Sequence, residues 1–495
     1  MNTQPSRCTF ALRQRPLALC LACALGIGTA GSTTATDRAA AGASAVPPLS
    51  PRQRITGPAD LPVGSIRRVA WEALLANAPP PRPAATIPVT NCNDSGAGSL
   101  RDAMAVAVDG DTIDMTMLSC STITLTTGAL STVATNLTLD GPKYGIEIDA
   151  YGNSSNIIHA GSGTLYLNRI GVTNGYYYGS AAVGGCILSF GSVSLSYSSV
   201  TDCTAKYAAS SSTVKGGGVY AKYDVALDHS VVSDSGAVNV ASTYGYAVGG
   251  GIYAGGSFYS RYSSVLDNRA YSSTGYAWGG GVWSSGVGIK YSTLAGNYAS
   301  LNIGALVIDA PSSALNTIAN STISGNSAGN AIGGVFSAVP LIVTNSTIAF
   351  NDQGNTGSYG YSTGAGLTLA GGAATLSLTS SIIAGNYDAA SGKYLDLGAD
   401  PSVVVSGSNN LLTGSLIPVP ADTIYADPQL APLADNGGLT MTHALGSSSP
   451  ALHTGTSSKY YDQRGPGYPR VVGANADIGA FELNVNDIIF ADGFD

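Results

Sequence analysis

Charged residues are scarce in this chain of 495 residues, and the shortage limits what the protein can bind. Asp, Glu, Lys and Arg make up 11% of the sequence, compared with about 25% in an average soluble domain. The formal net charge is −8, and no basic patch interrupts the acidic sequence. Because nucleic-acid binding needs clustered Lys and Arg to replace the counterions of the phosphates, a nucleic-acid partner is not expected.

Long apolar runs and helical periodicity are also lacking. No apolar run is long enough to cross a membrane as a helix, which takes about 20 residues. Between Gly184 and Asn386 the apolar residues alternate in short runs that are broken by Gly, Asn and Asp. Alternation of this kind predicts β-strands joined by turns and excludes a helical bundle for this region.

One pattern returns seven times in that region: a glycine cluster with an apolar residue, followed about a dozen residues later by a Ser-rich run. The third residues of these runs, separated by 32, 33, 29, 29, 25 and 35 positions, are Val200, Val232, Val265, Leu294, Ile323, Ile348 and Ile383. A period of about 20–50 residues indicates a solenoid, in which each coil buries its apolar face on its neighbours. We expect equivalent strands to pair in parallel, and the Asn residues that close most runs to stack as a hydrogen-bonded ladder.

The repeat resembles the right-handed parallel β-helix of the pectin-lyase-like superfamily, over roughly Thr86 to Asn410. The resemblance implies an all-β fold, a right-handed parallel β-helix solenoid with a short N-terminal cap helix and an irregular C-terminal cap. Pectin-cutting enzymes of that fold carry clustered Asp, His, Arg and Lys on one face. This sequence has no adjacent Asp pair, no Gly-His-Gly and no Arg-x-Lys, so the resemblance concerns the fold and not the activity.

The sequence also predicts how the chain is divided. Residues before 36 are expected to form an export signal, because three Arg residues precede the apolar run from Leu17 to Ile27 and small residues follow it. The next stretch is rich in Pro and Ala, which is typical of a linker, with one short helix expected from Ile66 to Asn77. The signal peptide, linker, β-helix with its cap, C-terminal cap and tail are predicted at 1–35, 36–88, 89–410, 411–483 and 484–495.

The opening of the β-helix segment, residues 91–102, resembles that of many surface β-helix proteins, including the polymorphic outer-membrane proteins. Leu100, Met104 and Val108 form the apolar stripe of a short helix, and Ser99 is placed to start it. Because a solenoid end exposes apolar side chains and unpaired strand edges, we expect this helix to cover the first coil.

The C-terminal segment closely resembles the region called choice-of-anchor Q in bacterial surface proteins. Its motifs, in order, are Asp427-Pro428, Asp435-Asn436-Gly437-Gly438, Thr442-His443-Ala444-Leu445, Ser449-Pro450-Ala451, Asp462-Gln463-Arg464-Gly465, Pro469-Arg470 and Asp477-Ile478-Gly479-Ala480-Phe481-Glu482. Leu439 and the pair Leu452-His453 depart from the residues usual in such proteins. The last eight residues resemble tails on exported proteins of some Gram-negative bacteria, and together the resemblances imply an exported protein of the cell surface or medium.

The same segment holds the densest group of charges. We expect a structural role for it, because Arg can pair bidentately with carboxylates and fix loops that lack regular structure. Its members are Asp462, Arg464, Arg470, Asp477 and Glu482. His443 and His453 lie too far apart in the sequence to predict a metal site.

Cysteine usage agrees with export. Four Cys remain after removal of the signal, Cys92, Cys120, Cys186 and Cys203, an even number that allows three disulfide pairings. Proximity in the sequence favours Cys92 with Cys120 and Cys186 with Cys203. No C-x-x-C motif or nearby His pair suggests a metal.

Asp202, Asp234 and Asp267 occupy the same place in three successive repeats, so they should stack at about 4.8 Å per coil. Three interpretations are open: turn residues, since glycine takes this place in other repeats; a calcium site; or the carboxylates of a glycosidase. We prefer the turn interpretation. We expect no cofactor, and calcium bound by these three Asp residues is the alternative.

Aromatic residues supply the candidate binding site. Tyr220, Tyr253 and Trp283 each follow the apolar residue of a glycine cluster, so they should point outward as an exposed row. The row is either a sugar-stacking platform or a structural ladder. In addition, 19 of the 27 Tyr lie between Tyr144 and Tyr298, many in loops rich in Ser and Gly, which either form a recognition surface or pack together along one edge.

These patterns favour an exported recognition or adhesion module for glycans or for host or neighbouring surfaces. The alternative is a polysaccharide lyase or glycosidase acting on acidic polysaccharide, which would need a groove with positioned acid and base groups. A binding protein needs only an extended aromatic and hydroxyl face.

Overall fold

The computed structural model describes residues 84–152, 154–179, 182–208, 212–241, 244–309, 315–354, 363–371 and 374–484. The predicted export signal, the helix expected from Ile66 to Asn77, almost all of the linker and the tail after residue 484 lie outside the described residues. The described strands and the described helix all belong to the segment between residues 84 and 484.

The described residues fold as an all-β parallel solenoid of about ten coils, as predicted. Equivalent strands of successive coils pair in parallel and in register. The largest sheet, sheet A, contains 20 strands: Thr86–Pro88, Asp111–Asp114, Leu130–Thr132, Leu137–Asp140, Ile157–His159, Thr164–Asn168, Ile187–Ser189, Ser192–Ser196, Val219–Ala221, Val225–Asp228, Ile252–Arg261, Val282–Lys290, Leu306–Ile308, Asn316–Ala319, Val335–Ser337, Leu341–Thr344, Leu367–Leu369, Thr375–Thr379, Leu397–Ala399 and Val404–Ser408.

Among the described residues, two further sheets complete the coil, and a fourth lies outside it. Sheet B contains Thr122–Thr124, Ile146–Asp149, Ile170–Thr173, Ser199–Thr201, Val231–Ser233, Ser264–Leu266, Thr293–Ala295, Thr322–Ser324, Thr347–Ala349, Ile382–Ala384, Leu411–Leu412 and Ile424–Tyr425. Sheet C contains Tyr176–Tyr178, Thr204–Tyr207, Gly236–Asn239, Arg269–Ser272, Tyr298–Ala299, Ser327–Ala328, Asp352–Gln353, Tyr387–Asp388 and the antiparallel edge strand Lys393–Tyr394. Sheet D contains Thr213–Lys215, Tyr246–Val248 and Tyr276–Trp278.

Most coils contribute two strands to sheet A, so the sheet has two rows. The two rows merge in Ile252–Arg261 and Val282–Lys290, where the register shifts between Ala254 and Ser257. The first row contains Ile252 and Tyr253, and the second contains Phe258 and Tyr259. Inward and outward residues alternate in both rows, as the pleat of a strand requires.

The core consists of the apolar positions that the repeat pattern identified. The third residue of each Ser-rich run is completely buried: Val200, Val232, Val265, Leu294, Ile323, Ile348 and Ile383. The residues after the glycine clusters are buried as well. Burial of each such side chain contributes roughly 1.5–3 kcal/mol to stability. The buried side chains of successive coils form one continuous core.

The expected ladder of Asn side chains is present and buried. Nδ2 of Asn268 donates to Oδ1 of Asn297 at 3.0 Å, and the same bond repeats to Asn326 at 2.9 Å. The ladder continues through Asn351 and Asn386 and ends on the Asp396 carboxylate. Each Oδ1 of the continuing ladder also accepts a backbone N–H from the preceding coil. The ladder thus satisfies polar groups that would otherwise be buried without partners.

Both predicted disulfides, Cys92–Cys120 and Cys186–Cys203, are present. Cys203 stands where later coils have the ladder Asn, and Cys186 pairs in register with the last glycine of the next cluster, Gly218. A side chain at the equivalent glycine Gly251 would collide with Asn268, since an added Cβ would lie 2.7 Å from its Cγ. The disulfide therefore replaces a Gly and Asn pair at this level of the solenoid.

The N-terminal end is closed as predicted. The helix Leu100–Val106 is capped by Ser99, whose side chain accepts a hydrogen bond from the Asp102 N–H, and Leu100 and Met104 are buried. The strand Thr86–Pro88 already pairs with Asp111–Asp114, so the solenoid begins within the end of the segment predicted as linker. Ile87 pairs with Ile113 of the next strand, although prolines surround it in the sequence.

The irregular C-terminal segment lies along the outside of sheet B and extends over several coils, not over the last coil alone. Gln463 bonds to Thr293 and to Thr322, which belong to successive coils. Farther along, the Ala480 N–H donates to the Thr347 hydroxyl at 3.0 Å. Near the C-terminal end of the solenoid, Val403, Val405, Ile417 and Val419 pack against the core.

Candidate functional site

The predicted aromatic row is stacked but buried, so the expectation that it is exposed is wrong. Tyr220, Tyr253 and Trp283 are 1%, 4% and 4% exposed. Their ring centroids lie 5.2 and 4.7 Å apart with nearly parallel planes, as expected for a structural ladder. Contact of this row with a ligand would require displacement of whatever covers it.

The covering layer is formed by sheet D and by residues in register with it. Its apolar side chains pack on the outer face of the first row of sheet A; they are Val183, Val248, Trp278, Ile303 and Ile332. Alternation along a strand predicts which residues point outward, but not that a loop folds back over them. The Tyr-rich loops therefore do pack along one edge in part, as the second interpretation of these loops proposed.

Lys215 is buried in this layer. Its Nζ lies 4.9 Å from the centroid of the Tyr253 ring, and burial lowers the pKa of Lys215 to about 8. An ammonium over an aromatic face gains cation–π energy, of about 2 kcal/mol where water is excluded. The ring and the cation support each other inside the covering layer.

The Asp column adopts the conformation that the turn interpretation requires. Asp202, Asp234 and Asp267 have φ of 55°, 52° and 55°, and Gly296 in the next coil has φ of 67°. Asp is one of the few residues that adopt left-handed backbone at low cost. Burial, and secondly the charge of Asp234, raises the pKa of Asp267. A calcium or catalytic role for the column stays a prediction.

Asp202 also lines a shallow cleft of about 380 Å³ on the same corner. Tyr151, Tyr176 and Thr204 are among the other residues that form it. This cleft is the feature that keeps the catalytic alternative open.

The charge cluster of the C-terminal segment is buried and internally bonded, in agreement with a structural role. Arg464 contacts the Asp462 carboxylate through two nitrogens, at 2.8 and 3.0 Å. Arg470 donates to the backbone carbonyls of Asp477 and Gly479. Burial raises the pKa of Asp462 and lowers that of Arg470, whose Nε and Nη1 are buried without a hydrogen-bond partner among the described residues.

Three residues of this region bring potential metal ligands within 4.8 Å of one another: His453, Asp477 and Glu482. Each of their carboxylate oxygens already accepts a backbone hydrogen bond, and the two oxygens of Glu482 accept the N–H groups of Val472 and Asp477. Those of Asp477 accept the N–H groups of His453 and Leu483. The group is therefore best explained as a loop-fixing arrangement.

An exposed aromatic surface lies instead on the second row of sheet A, around Tyr259. Tyr259 is 45% exposed, although it belongs to the same strand as the covered Tyr253. Its ring extends over Gly288 of the next coil, where an added Cβ would lie 2.9 Å from Cδ1. Only a glycine at this position leaves room for the ring to lie against the sheet.

A column of four rings runs beside Tyr259 along the solenoid. Tyr197, His229, Tyr262 and Tyr291 follow one another with centroid distances of 4.6, 5.2 and 4.9 Å; the first and last pairs are stacked, and the middle pair is tilted by 39°. Tyr197, at one end, is 57% exposed. We call Tyr259 together with this column the tyrosine face.

The rings of the column occupy unfavourable backbone positions. All four residues have φ between 49° and 53°, and left-handed backbone costs an ordinary L-residue roughly 1–2 kcal/mol. Two later coils use Asn at this place, Asn320 and Asn345, which adopts that conformation more readily. Stacking offsets this cost by about 0.5–1.5 kcal/mol per pair. The aromatic residues are therefore tolerated, but they are not the choice that backbone conformation alone would favour.

A charged pair borders the column. Arg261 donates to both oxygens of Asp228, at 2.9 and 3.1 Å, and Nδ1 of His229 lies 3.1 Å from the same carboxylate. The hydrogen bond from Arg261 lowers the pKa of Asp228. Since both partners are partly exposed, the pair adds little stability and is available to a ligand. Lys290 extends the same row of residues by one coil.

The C-terminal segment bounds the tyrosine face on one side. An added Cβ at Gly465 would lie 3.0 Å from Cε1 of Tyr262. In later coils the segment covers the equivalent positions, because Asn320 and Asn345 donate to the carbonyls of Tyr461 and Thr456. The segment thus contacts the column at Tyr262 and at the Tyr291 carbonyl, which accepts a hydrogen bond from Thr440, and it accepts hydrogen bonds from the amide side chains of the later coils.

The positions of the column can be recognised in the repeat pattern, although strand alternation does not show that they form a surface. Each ring of the column stands immediately before the Ser that begins a Ser-rich run, in four consecutive repeats. Tyr259 carries no such signal, because its exposure depends on Gly288 and on the absence of a covering strand over the second row among the described residues.

Comparison with protein-family models, with curated proteins and with solved structures finds no match to this chain. The family resemblances of the sequence therefore rest on its motifs. In the described part of the chain, no helix has the length and apolar character needed to cross a membrane.

Proposed function

We propose that the protein is an exported recognition module that binds glycans through the tyrosine face. One observation carries the proposal: Tyr259 and the edge of the four-ring column are exposed on an open sheet face, which Asp228, Arg261 and Lys290 border. Tyr offers rigid, amphipathic contact area at low entropic cost. An exposed aromatic surface of this kind on an exported solenoid favours binding over packing.

The surroundings of Tyr259 suit the hydroxyl groups of a sugar. At the level of Tyr259 the outward residues of the neighbouring strands are small or hydroxylic: Ala226 pairs with Tyr259, Ser194 pairs with Ala226, and Thr317 pairs with Gly288. The rings of the column use their faces on each other, so they offer a ligand their edges and phenol groups. Tyr259 offers part of its ring, and Arg261 offers hydrogen-bond donors.

The finer identity of the protein belongs to the same proposal. The motifs support a right-handed β-helix of the pectin-lyase-like type with a choice-of-anchor Q region, exported by a signal peptide from a Gram-negative cell to its surface or medium. The two disulfides are compatible with an oxidising compartment.

Tyr259→Ala tests the site, with Tyr394→Ala as its matched control. Tyr394 is 58% exposed on the edge of sheet C, far from the second row of sheet A in the coil. A glycan array first selects a ligand for the full exported chain, and calorimetry then gives its affinity for each variant. We expect Tyr259→Ala to bind at least about tenfold more weakly, a loss of about 1.4 kcal/mol, and Tyr394→Ala to bind like the parent. Equal affinity of the two variants, or no glycan bound by the parent, would contradict the proposal.

A second candidate function, cleavage of a polysaccharide, is favoured by the cleft that contains Asp202. It predicts release of reducing ends or unsaturated products, and loss of that activity on replacement of Asp202, Asp234 and Asp267 by Asn. Our proposal predicts no product from pectin, alginate or the glycans selected on the array, with or without calcium.

A further inference from the structure

We infer that the protein has a second binding site, a cleft for one uncharged pyranose unit, at the junction of sheets C and D. The cleft has a volume of about 310 Å³. Its lining residues are Tyr244, Ser273, Thr274, Gly275, Tyr276, Leu301, Asn302 and Asn330. It lies on a different part of the coil from the tyrosine face, and it can be tested without any assumption about that face.

Unequal loops create the cleft. In one coil six positions of the sequence separate the sheet C strand that ends at Asn239 from the sheet D strand that begins at Tyr246, whereas only residues 273–275 separate the equivalent strands in the next. The longer loop carries Tyr244, which is 68% exposed. Leu301 and Asn330 follow in the next two coils, where the connections are again short. Tyr244, at the described end of the longer connection, therefore lines the cleft together with residues of the next three coils.

The aromatic wall of the cleft is rigid. Tyr276 stacks on Tyr246 at 5.6 Å and on Trp278 at 5.2 Å, with planes within 22° of parallel. Gly275 has no space for a side chain, because an added Cβ would collide with the Gly245 carbonyl. A preformed wall of this kind lowers the entropic cost of binding, since the stacked rings need not be ordered by the ligand.

Some polar side chains of the cleft already make hydrogen bonds to the protein, and one does not. The hydroxyls of Ser273 and Thr274 both donate to the Ala241 carbonyl, at 2.6 and 3.1 Å. The Asn302 amide accepts the Ala277 N–H. Within the described residues, the side chain of Asn330 makes no hydrogen bond to the protein. Asn330 can therefore meet ligand hydroxyls with both its donor and its acceptor.

The charge of the lining selects the ligand. None of the eight lining residues is ionisable at neutral pH, so a charged ligand would lose hydration without gaining a counter-charge. Leu301 and the two tyrosines provide an apolar and aromatic surface, and the amide provides directional bonds. This combination fits the alternating C–H and hydroxyl surface of a neutral sugar and disfavours a uronate.

The experiment uses the full exported chain and a panel of methyl glycosides of glucose, galactose, mannose and glucuronate. Saturation-transfer NMR and calorimetry measure binding to the parent, Tyr244→Ala, Asn330→Ala and Tyr259→Ala. We expect at least one neutral glycoside to bind, each cleft variant to bind it at least tenfold more weakly, and Tyr259→Ala to bind it like the parent. Melting temperatures within about 2 °C of the parent show that the variants are folded, as expected for an exposed ring and a surface amide.

Three results would overturn the inference: no neutral glycoside binds, the cleft variants bind it like the parent, or glucuronate binds more tightly than every neutral glycoside. Failure of this inference is separable from failure of the proposed function. If only the cleft is misassigned, glycans from the array still bind in a manner that depends on Tyr259. If Tyr259→Ala rather than the cleft variants abolishes glycoside binding, the small sugar occupies the tyrosine face and the cleft is not a site.

Discussion

Replacement of Tyr253 by Ala should destabilise the protein strongly, whereas the same substitution at Tyr259 should not. The two tyrosines belong to one strand, Ile252–Arg261, and both point away from the core. Tyr253 is 4% exposed and Tyr259 is 45% exposed. The two variants share residue type, strand and substitution, so a difference in their stability reports the effect of the covering layer.

The expected magnitude depends on the contacts of the Tyr253 ring. Rings of Tyr220 and Trp283 stack on its two sides, and the Lys215 ammonium lies over it. Truncation of a buried aromatic ring to Ala costs about 3–5 kcal/mol, part of it from two lost stacking pairs of about 0.5–1.5 kcal/mol each. For Tyr259, an exposed position outside these contacts, the expected loss is below about 1 kcal/mol.

Urea unfolding followed by circular dichroism measures both values. The free energy of unfolding should fall by about 3–5 kcal/mol in Tyr253→Ala, and glycan affinity measured well below the unfolding midpoint should be unchanged. A loss below about 1 kcal/mol for Tyr253→Ala would show that its ring is not covered in solution. If Tyr253→Ala bound glycans more weakly with unchanged stability, the aromatic row would be the exposed sugar-stacking platform that the sequence predicted.

Three further predictions concern stability. Lys215→Met should stabilise the protein by about 1 kcal/mol at pH 7, because the penalty of about 3 kcal/mol from burial, which lowers the folded-state pKa from 10.5 to about 8, exceeds the lost cation–π contact of about 2 kcal/mol with Tyr253; the gain should vanish as pH rises from 8 towards 10.5, and a gain independent of pH would refute the assignment. Asn326→Ala should cost at least about 3 kcal/mol in urea unfolding, since it orphans buried ladder groups on both sides; a loss below about 1 kcal/mol would contradict a continuous ladder. Replacing Cys186 and Cys203 by Ala should cost about 3 kcal/mol for a closed loop of sequence separation 17, and an intact mass showing four free thiols in exported protein would disprove both disulfides.

Much of the fold could be predicted because a solenoid repeats its information. The apolar residue of each glycine cluster and the third residue of each Ser-rich run recur at one place per coil, so a single interpretation fixes many positions at once. Val219, Ile252 and Val282 are fully buried as the alternation requires. The Asn ladder follows for the same reason, because stacked identical amides have no better partners than each other.

The covering layer could not be predicted, because it depends on loops that do not repeat. The connections between sheets C and D differ in length and sequence from coil to coil. Their apolar residues, such as Val248 and Trp278, gain by covering the outward face of sheet A. Strand alternation places Tyr253 on that face correctly, but burial of the face is decided by chain segments elsewhere in each repeat.

The C-terminal segment illustrates a second limit. Its charged residues suggested that it fixes irregular loops, and the buried pair of Arg464 with Asp462 agrees with this. Its docking along sheet B depends on contacts between residues far apart in the sequence, such as His443 with Ser324 at 2.7 Å. No local pattern encodes such a contact, so the sequence predicts an irregular C-terminal cap but not its docking along sheet B.

Radical footprinting of tyrosines with and without bound glycan tests the central claim most directly. Hydroxyl radicals oxidise exposed aromatic rings, and mass spectrometry locates the oxidised residues. With the glycan selected on the array, we expect oxidation of Tyr259 and Tyr197 to fall at least threefold, while Tyr394 and Tyr425 remain unchanged. Protection confined to other residues, with Tyr259 oxidised equally in the free and bound protein, would contradict recognition through the tyrosine face.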